Sequence, residues 1–176
     1  VGRAGVGVDN IDLASARAKG VTVVNAPKST SLAVAELAIG LMFAVARRIP
    51  FADSTLKQGL WEKKKLEGIE LAGKTLGVIG MGNIGSAVAK RTAALGMQVI
   101  GYDPLVPADE IARRGAEPVS LENLYARADF ITIHIPLTPD SKNMLSGQAF
   151  AQMKRGVRLI DAARGGVVDE TALLGA

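Results

Sequence analysis

Three short stretches hold residue types that could do chemistry. In "GVIGMGNIG", Gly80, Gly82 and Gly85 stand in G-x-G-x-x-G spacing between an apolar run and a helical pattern. That spacing suits a phosphate cradle. Gly80 permits the tight turn, Gly82 lets a pyrophosphate approach the backbone, and Gly85 lets the helix pack closely on the strand. The N–H groups that open the helix would face the anion. In "GYDP", Asp103 follows Gly85 by 18 positions at the end of the next strand, near the ~20 expected for an acid that accepts from ribose hydroxyls. A carboxylate there repels a 2′-phosphate, and no arginine stands beside it at the strand end, so NAD is expected rather than NADP. The third stretch, "RLIDAARGGVVDE", runs an apolar strand into Arg164 and two glycines. An arginine at a strand mouth is either a solvated turn residue or a fork aimed at an anionic ligand.

Composition narrows the field. The 176 residues are 48% apolar, enough for one domain with a sizeable core. The 21 Lys and Arg barely exceed the 17 Asp and Glu and form no tract that would grip nucleic acid. The one basic run, "WEKKKLEG", reads as a solvated turn or helix end. Four Phe, two Tyr and one Trp leave little for base stacking. Without cysteine there is no disulfide framework, cysteine zinc site or thiol nucleophile, which suits a cytoplasmic location, and no metal site is expected. The apolar run "SLAVAELAIGLMFAVARR" is interrupted by Glu36 and falls short of the ~20 residues of a membrane span, so no membrane association is expected. The chain opens without Met and with no secretory signal, and it stops inside an apparent helix. A piece of a longer protein is expected.

The elements that must position these residues fall into two patterns. "IDLASARAKG" reads as a helix capped by Asp9 or Asn10, and "VTVVN" as a strand. A helix follows from about Ser31 to Arg48, apolar on nearly every face, then a more polar helical segment after Pro50 and a linker through "EGIELAGK". From Thr75, strands "TLGVIG", "MQVIGYD", "DFITIHIP" and "VRLIDAA" alternate with helical segments. The strands are continuous apolar runs, as expected when both faces are covered. The fold class is therefore α/β, a doubly wound parallel sheet of the Rossmann dinucleotide-binding type.

The segments "VGRAGVGVDNID", "NAPKSTSLAVAELAIGLMFAVAR", "WEKKKLEGIELAGKTLGVIGMGNIG", "HIPLTPDSKNML" and "DAARGGVVDE" together resemble the D-isomer-specific 2-hydroxyacid dehydrogenases across essentially the whole chain. The resemblance implies that residues 1–8 end a substrate-domain strand and hinge. Residues 9–176 would form an NAD-binding domain cut short at its C-terminus, with the substrate domain absent. It makes Arg164 the catalytic arginine that grips the substrate carboxylate and polarises the oxygen at C2. It assigns cofactor contacts to Gly80, Gly82, Asn83, Ile84, Gly85, Asp103, His134, Ile135, Pro136, Ser141, Ala162, Ala163 and Arg164, and brings the main chain of Gly5, Val6 and Gly7 near substrate. His134, the only histidine, would be the usual choice of general base, but its motif sets it beside the adenosine half of the cofactor. The family's catalytic histidine and glutamate would lie beyond Ala176.

The implied partners are a small 2-hydroxy acid, phosphorylated in the branch most like this chain, and a second subunit joined through the Ser31 to Arg48 helix. Glyoxylate, hydroxypyruvate or D-lactate are alternative substrates, and an NAD-dependent corepressor-like scaffold is an alternative role. One departure stands out: Asp161 replaces an asparagine common among relatives, and a salt link from it to Arg164 would compete with substrate.

Overall fold

The computed structural model describes all residues, Val1–Ala176. The elements, in chain order, are β1 (Gly2–Arg3), α1 (Leu13–Ala18), β2 (Val24–Asn25), α2 (Ser31–Ala46), α3 (Ile49–Lys57), β3 (Thr75–Ile79), α4 (Asn83–Ala94), β4 (Gln98–Tyr102), α5 (Ala108–Arg113), β5 (Glu117–Pro118), α6 (Leu121–Arg127), β6 (Phe130–Ile133), α7 (Gly147–Gln152), β7 (Arg158–Asp161) and α8 (Glu170–Leu174). A single 3-10 turn at Lys63–Lys65 precedes the linker into β3.

Five strands form one sheet in the order β5-β4-β3-β6-β7, every neighbouring pair parallel. The chain builds outward from β3 to β5, then crosses back and builds the other way through β6 and β7. The reversal opens a crevice at the carboxyl ends of β3 and β6, where open α/β sheets bind ligands. Both faces are covered. Leu76 and Val78 of β3 join Phe130 and Ile160 in a core with α4, α5 and the inner side of α2. On the opposite face, Ile79, Ile100, Ile131 and Ile133 pack with Leu124 of α6 and Ala149 of α7. This two-sided burial is why the strands read as unbroken apolar runs.

β1 and β2 pair in parallel as a separate two-stranded sheet with α1 between them. The division expected between residues 8 and 9 falls inside this unit. Helix α1 is capped by Asp12, which accepts from the Ser15 amide at 2.8 Å, rather than by Asp9 or Asn10. The helix expected from Ser31 to Arg48 ends at Ala46, because Arg48 adopts a left-handed φ of 53° before Pro50 opens α3. A left-handed residue breaks the hydrogen-bond ladder, and Pro in the first turn sacrifices no bond. The Arg48 guanidinium closes this corner by donating to the Lys65 carbonyl at 2.6 Å. No helix is long and apolar enough to cross a membrane.

Helix α2 is apolar apart from Ser31 and Glu36, and its inward side is mostly small. Ser31, Ala35, Ala38, Met42 and Ala46 are buried at three- and four-residue spacing, while Leu32, Leu37, Leu41, Phe43 and Val45 face outward. Small inward residues let the helix lie close on α4. Three leucines, Phe43 and Val45 are left outside, with Met42 the one large side chain fully buried.

Candidate functional site

The glycine turn takes its shape from contacts that only glycine allows. Gly80 has φ +95°, and a β-carbon on it would lie 2.7 Å from the His134 carbonyl oxygen. A β-carbon on Gly85 would collide with the Gly80 carbonyl. Gly82, by contrast, has nothing within 4 Å of its β-carbon position. Two glycines serve the protein's own packing, and the middle one opens onto free space at the start of α4. Asn83 and Ile84, the first residues of that helix, bring N–H groups and positive dipole to the same spot. The residues present therefore fit a pyrophosphate.

Asp103 directly follows β4 and is tied to this turn. Its Oδ2 accepts from the Met81 amide at 2.8 Å and its Oδ1 from the Leu105 amide at 2.9 Å. Each carboxylate oxygen keeps a second lone pair for a ribose hydroxyl. The Met81 carbonyl, on the other side, accepts from Arg114, which also pairs with Glu110 at 2.7 Å. No arginine neighbours Asp103 in sequence, yet the fold brings Arg114 to the same turn from the end of α5. The Arg114 Nε is engaged by Glu110 and one Nη by the Met81 carbonyl, and no hydrogen bond joins Arg114 to Asp103.

A cleft of about 470 Å³ continues from the turn along the carboxyl ends of β6 and β7. Gly5, Val6 and Gly7 line one wall, Ile84 the base of α4, and His134, Ile135 and Pro136 the exit of β6. Ala162, Ala163 and Arg164 close it after β7. Segments far apart in sequence thus meet at one place. Arg3 lines the same cleft, an addition that its strand-like surroundings in the sequence hid.

Arg164 donates from Nε to Asp9 Oδ2 at 2.9 Å and from an Nη to the Ala163 carbonyl at 2.8 Å. The expected competitor, Asp161, turns the other way and accepts from the Ala163 amide at 2.9 Å. It braces the loop that carries Arg164 without pairing to the guanidinium. Ser141 is buried, and its hydroxyl donates to the Pro136 carbonyl at 2.7 Å and accepts from the Thr138 amide at 2.7 Å. It therefore acts by holding the loop after β6 in shape.

His134 is among the residues that line the cleft, and its ring is largely buried. One ring nitrogen, Nε2, lies 2.9 Å from the Thr132 hydroxyl, and Nδ1 is buried with no protein partner. Burial pushes its pKa down to about 4, because a charged imidazolium is poorly solvated there. At neutral pH it is uncharged, and a ring so weakly basic is a poor proton acceptor for an alcohol.

The model of the D-isomer specific 2-hydroxyacid dehydrogenase NAD binding domain matches residues 39–176. The chain belongs to this family and carries its NAD-binding domain. Its relatives include D-3-phosphoglycerate dehydrogenase of Methanocaldococcus jannaschii, 52% identical over 98% of this chain and 33% of that protein. Among solved structures, the D-lactate dehydrogenase of Escherichia coli superposes with TM-score 0.89 at 37% identity, covering 98% of this chain and 54% of that one. A glyoxylate reductase from Paecilomyes thermophila gives TM-score 0.89 at 34% identity, covering 98% and 52%. The chain spans about a third of the length of the curated relatives it matches.

Proposed function

We propose that this chain is the cofactor domain of a D-3-phosphoglycerate dehydrogenase, which oxidises 3-phosphoglycerate to 3-phosphohydroxypyruvate at the start of serine biosynthesis. The observation that carries the choice of substrate is the presence of two guanidinium groups, Arg164 and Arg3, in one cleft. A phosphorylated hydroxy acid has two anionic ends. One arginine can hold the carboxylate, and the other stands free for the phosphate. Lactate or glyoxylate has a single anionic end and leaves the second cation without a partner. The 52% identity to a D-3-phosphoglycerate dehydrogenase supports the same choice.

NAD, when bound by the glycine turn, would supply the acceptor for the hydride at C2 of the substrate. Arg164 fixes the carboxylate beside C2 and stabilises charge on the C2 oxygen as the carbonyl forms. The hydroxyl proton must pass to a base, and His134, neutral and buried, is not that base. We assign the base to a part of the protein outside residues 1–176, and we place the reaction in the reducing cytoplasm. The outward Leu, Phe and Val residues of α2 support a homodimer, since one domain cannot cover them.

The test compares kcat/KM of the full-length protein on 3-phosphoglycerate, D-lactate, and the reductions of glyoxylate and hydroxypyruvate. Arg3→Ala should weaken only the phosphorylated substrate. Equal loss on every acid, or no preference for 3-phosphoglycerate, would give the enzyme to a non-phosphorylated substrate.

A further inference from the structure

A guanidinium presents two edges to a two-oxygen anion: Nε with one Nη along its side, and the two Nη groups at its end. In Arg164 the side edge is taken, because Asp9 Oδ2 accepts from Nε at 2.9 Å. Gly7 makes this meeting possible. A β-carbon there would collide with Nη2 of Arg164 and lie 2.8 Å from Asp9 Oδ2. Asp9 and Arg164 are 155 positions apart, so the pair joins the segment before α1 to the loop after β7, across the mouth of the cleft.

We infer that Asp9 is the positioning residue for Arg164: by occupying Nε, while Nη1 donates to the Ala163 carbonyl at 2.8 Å, it fixes the guanidinium so that Nη2 and the second N–H of Nη1 are presented to the substrate carboxylate. This rests on Arg164 being the carboxylate grip. The pair is open to water, with side-chain exposures of 75% for Asp9 and 43% for Arg164. It therefore contributes little to folding. Its effect is geometric. Asp161, on the same loop as Arg164, accepts from the Ala163 amide and makes no hydrogen bond to the guanidinium. The free Arg164 would sample several rotamers, and a misplacement of about 1 Å at a reacting centre costs roughly a hundredfold in rate.

The experiment uses the full-length enzyme with Asp9→Ala, Asp9→Asn, Arg164→Lys and the Asp9→Ala/Arg164→Lys double variant, plus Arg164→Ala as reference. Asp9→Ala should raise KM for the hydroxy acid and lower kcat, together roughly tenfold to a hundredfold in kcat/KM. NAD affinity and Tm should stay unchanged. Asp9→Asn keeps a carbonyl acceptor for Nε and should recover most of the loss. Arg164→Lys has no fork to orient, so adding Asp9→Ala to it should cost nothing further. Full activity in Asp9→Ala, faster turnover from released competition, or a fall in Tm that parallels the activity loss would each overturn the inference. If Arg164→Ala itself retains turnover, the reading of Arg164 fails instead, and the two failures are told apart by that variant.

Discussion

A β-carbon on Gly85 would fall on the carbonyl oxygen of Gly80, whereas one on Gly82, between them, would meet nothing within 4 Å. The two positions should therefore fail in different ways. Gly85→Ala must push α4 off β3 and should destabilise the domain by about 1–3 kcal/mol or more. Gly82→Ala should melt like the parent protein yet bind NAD more weakly, since its methyl group enters the space left for the pyrophosphate. Thermal melts beside NAD titrations check both, and a well-folded Gly85→Ala with normal affinity would contradict the packing role.

Removing the Asp103 carboxylate should cost NAD affinity. Charged hydrogen bonds to the ribose are worth ~1.5–3 kcal/mol, roughly ten- to a hundredfold. Calorimetry on Asp103→Ala tests this, and an affinity equal to that of the parent protein would remove Asp103 from the cofactor site.

Acid should loosen the fold through His134. The unfolded imidazole binds its proton near 6.5 and the folded one only near 4, so the unfolded state holds more protons between those values. Stability from this residue is complete above about pH 6.5 and is lost as pH falls toward 4, up to about 3 kcal/mol. Urea melts at pH 7 and pH 4.5 should show a smaller loss for His134→Gln than for the parent protein. Equal losses would mean that the ring is solvated.

Charges on the outer face of α2 should separate a dimer without unfolding it. Leu37 is 56% exposed and Leu41 37%, so Leu37→Glu with Leu41→Glu disturbs no core. Sedimentation should shift from dimer to monomer. A parent protein already monomeric at micromolar concentration would leave the apolar face to another partner.

Residues 1–176 alone should bind NAD and produce no NADH from 3-phosphoglycerate. The glycine turn, the α4 N-terminus and Asp103 are all present, but the one histidine is buried and weakly basic. Loss of general-base help alone is worth ~10²–10⁴ in rate. Steady NADH formation by the pure chain would make His134 a candidate base after all.

The sequence made the five-stranded core legible because β3, β4, β6 and β7 are apolar on both faces and separated by helical segments. It hid β5, since Glu117 and Pro118 carry neither the period nor the β-branched residues of a strand and pair only because β4 offers an edge. It placed the cradle glycines and Asp103 through spacing, a local property. Asp9 was legible only as a helix cap. Its contact with Arg164 depends on how two distant segments meet, and no spacing within "GVDNID" records that. The helix break near Pro50 was legible, but the left-handed conformation of Arg48 was not, because it is set by the corner the chain turns and not by the residue's own preference.

The main chain of Met81 is held on both sides, its N–H donating to Asp103 and its carbonyl accepting from Arg114. With Asp103 proposed as the ribose acceptor, cofactor selectivity and the shape of the glycine turn become one trait rather than two. An engineer who replaces Asp103 to admit a 2′-phosphate also unties the loop that must receive the pyrophosphate, so a single substitution should give a poor enzyme with either dinucleotide. A successful switch would need a new acceptor for the Met81 amide that Asp103 now holds.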